Sequence, residues 1–202
     1  MPPKAKRLTK KEQQALARKQ VLAAANSVDD FMPQFAPFAN YEGVAIRSLP
    51  AAGLTTDEKT KVEALFCANM QTFYEQSSWG FDIESKRAEL FHADARYLVA
   101  GDVDGFLHFR FVEDDGAEVL YVYELQIGPS LQRKGLGKRL MQLLELIGRK
   151  YKMKWILLTV FKANTSALTF YTHKLGYDID ETSPSQHGNL DESYEILSKP
   201  LA

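Results

Sequence analysis

Residues 120–147 read LYVYELQIGPSLQRKGLGKRLMQLLELI, and this stretch decides the fold. Its opening, Leu120 to Ile127, is apolar or aromatic apart from Glu124 and Gln126, the composition of a strand. Its end places Leu136, Leu140, Leu143, Leu144 and Ile147 at helical spacing, a full apolar stripe on one helix. Between the two stands Gln132-Arg133-Lys134-Gly135-Leu136-Gly137. Two glycines at a strand-to-helix turn let the backbone approach a ligand closely. The unpaired N–H groups of the helix's first turn point outward with the positive end of its dipole. That combination predicts an anion site suited to a pyrophosphate, with Arg133, Lys134 and Lys138 adding charge. G-K-[ST] and G-x-G-x-x-G are both missing, so the string is neither a Walker loop nor a dinucleotide fingerprint.

Upstream of this stretch the residues predict a meander. Ala95 to Ala100, Gly105 to Glu113 and Ala117 to Ile127 are strand-like, separated by the turns G-D-V-D-G and E-D-D-G. Downstream the pattern alternates: a buried strand from Trp155 to Val160, a helix from Thr165 to Leu175, and strands at Tyr177 to Asp180 and Ser193 to Leu197. Nearer the start, Gly43 to Leu49 reads as a short strand, and Thr55-Thr56-Asp57-Glu58 is a capping box. It opens a helix carrying Val62, Leu65, Phe66, Met70 and Phe73. Asp82 to Phe91 reads as a second, more polar helix. The expected fold class is α/β (α+β): a mixed, mostly antiparallel central sheet flanked by helices, in one domain over residues 41–202.

Residues 1–40 form a separate prelude, a basic helix followed by an apolar strap. Residues 1–20 hold Lys4, Lys6, Arg7, Lys10, Lys11, Arg18 and Lys19 against Glu12 alone, a charge of +6; the chain total is −1, so the remainder carries −7. Such asymmetry marks either a polyanion-binding arm or a solvated helix face. Thr9-Lys10-Lys11-Glu12 is a further capping box, with Ala17, Val21, Ala24, Ala25 and Val28 following as a weak stripe. No aromatic precedes Phe31, so any contact with RNA or DNA is expected to be electrostatic and without sequence preference. Cys67 is the one cysteine, which excludes an intramolecular disulfide and points to a reducing compartment. Met1 leads straight into charge, so no signal peptide is expected, and the apolar run near Trp155 to Phe161 is too short to span a bilayer. Neither a membrane role nor a metal site is expected.

Glu124 is the anomaly of its strand. Burying an unpaired carboxylate costs several kcal/mol unless it is protonated or paired. Beside an anion-binding turn, it reads as a general base whose pKa Tyr121 and Tyr123 raise by desolvation. His108 alternates onto the side of Phe106 and Arg110 and reads as a surface or structural residue; Cys67 reads as core, not nucleophile. The acids at Glu113, Asp114, Asp115 and Glu118, at Asp178, Asp180 and Glu181, and at Asp191 and Glu192 are either solvated turns or the rim of a mouth for a basic peptide.

The turn at Gln132 to Gly137, taken with Asn164, Ala167, Phe170-Tyr171 and Leu175-Gly176-Tyr177, resembles the acyl-CoA core of the GCN5-related N-acetyltransferase (GNAT) superfamily. Longer strings resemble one branch, the N-terminal acetyltransferase D (NatD) family. They include Tyr74-Glu75-Gln76-Ser77 with Trp79-Gly80, His108 to Phe111, Glu118 to Tyr121, Tyr123-Glu124, Leu158 to Lys162, Ser183-Pro184-Ser185 and Ser193 to Ser198, and the match runs from about residue 45 to the end. The resemblance implies a GNAT fold with an extra N-terminal helix. It also implies acetyl transfer from acetyl-CoA to the α-amine of histone H4 and of the other core histone that begins Ser-Gly, in the cytoplasm and nucleus. Glu124 and Tyr123 would be catalytic. Tyr74, Trp79, Tyr121, Thr159 and Tyr194 would bind the histone peptide. Leu125, Gln126, Ile127, Gln132, Arg133, Lys134, Gly135, Leu136, Gly137, Lys138, Asn164 and Tyr171 would bind acetyl-CoA. A monomer is expected, with ribosome or chromatin contact through residues 1–20. Two positions depart from the branch: Val112 stands where it has an acid after F-R-F, and Tyr171 where it has Phe. Alternatives are a lysine or small-amine acetyltransferase of the same fold, and a silent acyl-CoA-binding module.

Overall fold

The computed structural model describes residues 9–201. Eight strands form one sheet: β1 (Asn40–Tyr41), β2 (Val44–Pro50), β3 (Arg96–Ala100), β4 (Gly105–Asp114), β5 (Ala117–Ile127), β6 (Trp155–Phe161), β7 (Asp178–Ile179) and β8 (Tyr194–Pro200), in the order β1-β2-β3-β4-β5-β6-β8-β7. Every pairing is antiparallel except β5 with β6, which is parallel. That one parallel pair follows from α4 (Leu136–Lys150), which carries the chain back across the sheet.

Helices cover both faces. On one lie α1 (Lys10–Asn26), α4 and the short α5 (Thr165–Thr169), packed over Leu98, Leu107, Phe109, Phe111, Leu120 and Val122. On the other lie α2 (Thr56–Glu75) and α3 (Ile83–Leu90), whose Val62, Phe66 and Leu90 meet Tyr97, Val99 and Phe106. Both capping boxes form: Thr9 with Glu12 opens α1, and Thr55 with Glu58 opens α2.

Residues 1–8, with three of the amino-terminal cations, Lys4, Lys6 and Arg7, lie outside the described residues. The rest of α1 docks by its last turns only. Ala25 is buried and Val21, Leu22 and Val28 pack on the core, but Ala17 and Ala24, expected in the stripe, are exposed. Arg96 fixes that end by donating to the carbonyls of Asn26 and Val28. The strap follows as two single 3-10 turns that bury Phe31 against Phe109, Phe111 and Tyr151.

Two further expectations are corrected. Trp155, read as the start of a buried strand, is 40% exposed, because it begins β6 at the sheet's end. The helix expected from Thr165 to Leu175 is five α-helical residues followed by a π-helical turn over Phe170–Lys174, a local widening of a kind frequent at functional sites.

Candidate active site

The pairing of β5 with β6 stops at Val122 with Leu158. Beyond it the two strands part, and the opening is where the candidate residues meet. A cavity of about 280 Å³ lies on the α2 and α3 side, and a groove of about 770 Å³ runs along α4 and α5; Leu125, Gln126, Asn164 and Tyr171 line both.

A β-bulge aims Glu124 into this junction. His108 pairs with Glu124 but Phe109 pairs with Val122, so Tyr123 is an extra residue on β5. Cross-strand partners share a face. Val122 therefore points to the α4 core with Phe109, and Glu124 to the opposite face with His108. Unbroken alternation would have sent Glu124 into the α4 core.

Glu124 is 5% exposed and is not unpaired. Its Oε1 lies 2.5 Å from Nζ of Lys86, and its Oε2 accepts from Nε2 of Gln126 at 2.6 Å. Asn69 in turn donates to Oε1 of Gln126 at 3.0 Å. Burial pushes the Glu124 carboxyl up, with Lys86 and Gln126 opposing. The rise by desolvation agrees with the sequence reading; the opposing ion pair with Lys86 is what the structure adds. Nothing in the polar string Ile83–Leu90 distinguishes that lysine from a surface residue, because its pairing with Glu89 is ordinary helical spacing.

His108 is fully buried, stacked between Tyr97 at 5.1 Å and Tyr123 at 4.9 Å. This corrects any surface reading: α2 and α3 cover the face that alternation assigned to it. Burial holds its pKa well below the ordinary histidine value, with Arg110 and Lys86 adding to the effect, so it stays neutral.

The aromatic residues gather at the cavity. Tyr74, Trp79 and Phe161 meet edge to face, Trp79 lies 4.9 Å from Tyr194, and Tyr121 shares a 2.6 Å hydrogen bond with Thr159. Tyr194 touches the cavity only through Trp79 and Phe161. Glu89 and Phe161 line the wall without having been singled out from the sequence.

In the groove, Gly135 has φ +85° and caps α4 with no side-chain hydrogen bond. Arg133 is also left-handed, at φ +61°. A Cβ at Gly135 would collide with the Tyr41 hydroxyl, which donates to the Lys134 carbonyl at 3.1 Å. The free first-turn N–H groups of α4 and the nearby Arg133, Lys138 and Lys174 give the groove an anion-binding end. Lys134 does not line it. Gln132 donates to the Ile127 carbonyl at 2.9 Å, tying the turn to the strand. Asn164 caps α5 by accepting from the Ala167 N–H at 3.1 Å.

The acids of the β4–β5 turn lie at the other end of β5, and Glu113 pairs with Arg18 of α1 at 3.2 Å. Cys67 lies in α2 outside both cavities; burial pushes its thiol up, away from the thiolate a nucleophile needs.

Residues 60–177 match the family model described as acetyltransferase (GNAT) family. A mycothiol acetyltransferase of Geodermatophilus obscurus is 33% identical over 140 residues, 64% of this chain and 43% of that protein, so the chain spans less than half the length of that relative. Among solved structures, the PaiA N-acetyltransferase of Thermoplasma acidophilum in complex with coenzyme A superposes with a TM-score of 0.55 at 20% identity, covering 78% of this chain and 98% of that one. The NatC complex bound to Gag peptide and CoA gives 0.58 at 15% over 79% and 99%. Ard1 of Thermoplasma volcanium gives 0.55 at 16% over 79% and 98%. At these identities the superpositions establish a shared fold. With the family model matching more than half of its length, the chain belongs to the GNAT family of acetyltransferases.

Proposed function

We propose that this acetyltransferase moves acetyl from acetyl-CoA to the N-terminal α-amine of histone H4 and of the other core histone that begins Ser-Gly, by direct attack without an acyl-enzyme. The observation that carries the proposal is Glu124, a buried carboxylate at the junction of an aromatic-lined cavity with a groove that fits a pyrophosphate-bearing donor. Support for the branch comes from the long strings around Trp79, Tyr121 and Tyr194 that resemble NatD.

The groove's fit to acetyl-CoA rests on the uncapped α4 N-terminus and the left-handed turn before it, where a side chain at Gly135 would fill the cradle. Acetyl-CoA supplies the activated acetyl group. The first turn of α4 with Arg133 and Lys138 holds the pyrophosphate, and Asn164 and the splayed edge of β5 from Leu125 to Ile127 hold the pantetheine arm. Tyr74, Trp79, Tyr121 and Thr159 enclose the amine, with Tyr194 supporting Trp79. Glu124 takes its proton, directly or through one water, and backbone N–H groups of β5 polarise the acetyl carbonyl.

An α-amine has a pKa of about 7.7 to 8.0 and a lysine about 10.4, so deprotonating lysine costs roughly 3 to 4 kcal/mol more at one pH. A carboxylate base suits the easier amine. The leaving thiolate needs a proton, and Tyr171 is the better placed donor. It lines both cavity and groove, and burial with the Glu124 charge pushes its phenol up and keeps it protonated. Tyr123 lines the cavity alone.

The test offers acetyl-CoA and Ser-Gly-Arg-Gly-Lys peptides with free or blocked amino termini. Turnover confined to the free amine is expected; equal turnover on the blocked peptide would identify a lysine acetyltransferase instead. The basic amino-terminal segment is proposed as a ribosome or chromatin contact separate from catalysis, so deleting it leaves peptide turnover intact. The proposed compartments are cytoplasm and nucleus, and the proposed state is a monomer.

A further inference from the structure

The charge that faces Glu124 comes from a helix to which the chemistry above assigns nothing. Lys86, in α3, is 7% exposed. Its Nζ meets Oε1 of Glu124 at 2.5 Å, donates to the Tyr74 hydroxyl at 3.1 Å, pairs with Glu89 and lies 4.7 Å over the Phe66 ring. Gln126 holds the other oxygen of Glu124. Each oxygen thus has its own anchor, one a charge and one an amide. Burying an ammonium is costly, and apolar packing alone would stabilise a helix on a sheet at least as well. The ion pair therefore asks for a reason beyond stability.

Resting on the reading of Glu124 as the base, we propose that Lys86 is its positioning residue: the ammonium fixes one carboxylate oxygen and keeps the carboxylate ionised on a buried sheet face. Lys86 also holds Glu89 at the cavity wall, so the three side chains together present one net negative charge to an incoming ammonium.

The other titratable neighbours do not supply this. Tyr74 from α2 is pushed up to about 12, first by burial and then by Glu124. Tyr97 from β3 and Tyr171 from the π-helical turn are pushed up in the same way, so all three phenols stay neutral. His108, paired with Glu124 across β4, is held neutral by burial. Among charged groups, Lys86 favours the Glu124 carboxylate and Glu89 disfavours it. Burial alone would push Lys86 down, but Glu124, Tyr74 and Glu89 outweigh it and keep the ammonium charged.

These opposing signs set the test. The pH dependence of kcat/KM on the free-amine Ser-Gly-Arg-Gly-Lys peptide is measured for the 202-residue chain and for Lys86→Met, Lys86→Arg, Glu89→Gln and Glu124→Gln, with acetyl-CoA binding measured in each as the check on folding. Lys86→Met is expected to move the acidic limb up by about one pH unit, roughly a tenfold loss on that limb that is recovered at higher pH. Glu89→Gln moves it down, and Lys86→Arg returns it toward the parent position. A limb that stays in place in both Lys86→Met and Glu89→Gln, with acetyl-CoA bound normally, overturns the positioning role. Parental turnover by Glu124→Gln overturns the base reading instead, so the two failures are distinguishable. If Lys86→Met fails to bind acetyl-CoA, Glu89→Gln decides: a lowered limb supports the proposal and an unmoved one sinks it.

Discussion

The hydroxyl of Tyr41 donates to the carbonyl of Lys134 and occupies the place a side chain on Gly135 would need. A residue of β1, the short strand that follows the strap, thereby closes the back of the turn before α4. Arg139 of α4 strengthens the same contact by stacking at 3.6 Å over Phe38 and donating to the Pro37 carbonyl. The first prediction follows from this crowding. Gly135→Ala must carry a Cβ at φ +85° and displace Tyr41, so it should lose about 1–2 kcal/mol of stability and weaken acetyl-CoA binding. Denaturant midpoints and calorimetric titration with acetyl-CoA measure the two effects, and tight binding with an unshifted midpoint would show that the turn tolerates a side chain.

Tyr171 and Tyr123 separate by substitution. Tyr171→Phe should lower kcat about a hundredfold while leaving acetyl-CoA affinity within about twofold, because only the proton is lost. Tyr123→Phe should cost less, since Tyr123 lines the cavity alone. The reverse order in steady-state kinetics would transfer the acid role to Tyr123.

Trp79 is 49% exposed, yet its ring contacts Tyr74, Phe161 and Tyr194 at the mouth of the cavity. Trp79→Ala should raise the peptide KM about tenfold, on the scale of one aromatic contact of about 1 kcal/mol or slightly more, with kcat and melting temperature nearly unchanged. A large fall in melting temperature would recast this tryptophan as structural.

The acidic limb of kcat/KM in the parent enzyme should lie above the ordinary glutamate value of about 4.3. Burial raises the Glu124 pKa, and a carboxylate acting as the proposed base works only when deprotonated. Activity is therefore full above that raised value and lost as pH falls through it. A limb at or below pH ~4.3 in a protein shown to be folded would point away from Glu124.

Arg96 is 7% exposed and donates to the carbonyl of Asn26, the last residue of α1, and to that of Val28 just beyond it. Arg96→Ala should cost about 2–3 kcal/mol and expose α1 to proteolysis, because the carbonyls and the cavity left behind lose their charged partner. Limited proteolysis with amino-terminal sequencing reads this directly, and an unchanged digestion pattern would show that Ala25, Leu22 and Val28 hold the helix unaided.

The local features of this chain were legible as text. The capping boxes at Thr9 and Thr55, the stripe on α4 and the strand-turn-helix around Gly135 depend on spacings of three or four residues, and all of them form. Even the bulge leaves a mark: the residues facing the α4 core are Leu120 and Val122, then Leu125 and Ile127, a slip of one position across Tyr123. A strict two-residue alternation hides that slip, and with it the face on which Glu124 stands.

The sequence by itself determined the order of elements, the left-handed glycine turn before α4 and the GNAT family, because these are written in local periodicity and short strings. Only the tertiary structure decided what surrounds the carboxylate. Lys86 reaches Glu124 because α3 packs across the sheet, His108 is buried because α2 and α3 cover its face, and Glu113 serves Arg18 because α1 docks at the far end of the meander. Such pairings join residues far apart in the chain, and their partners are set by how the helices lie on the sheet, a geometry that no local spacing encodes.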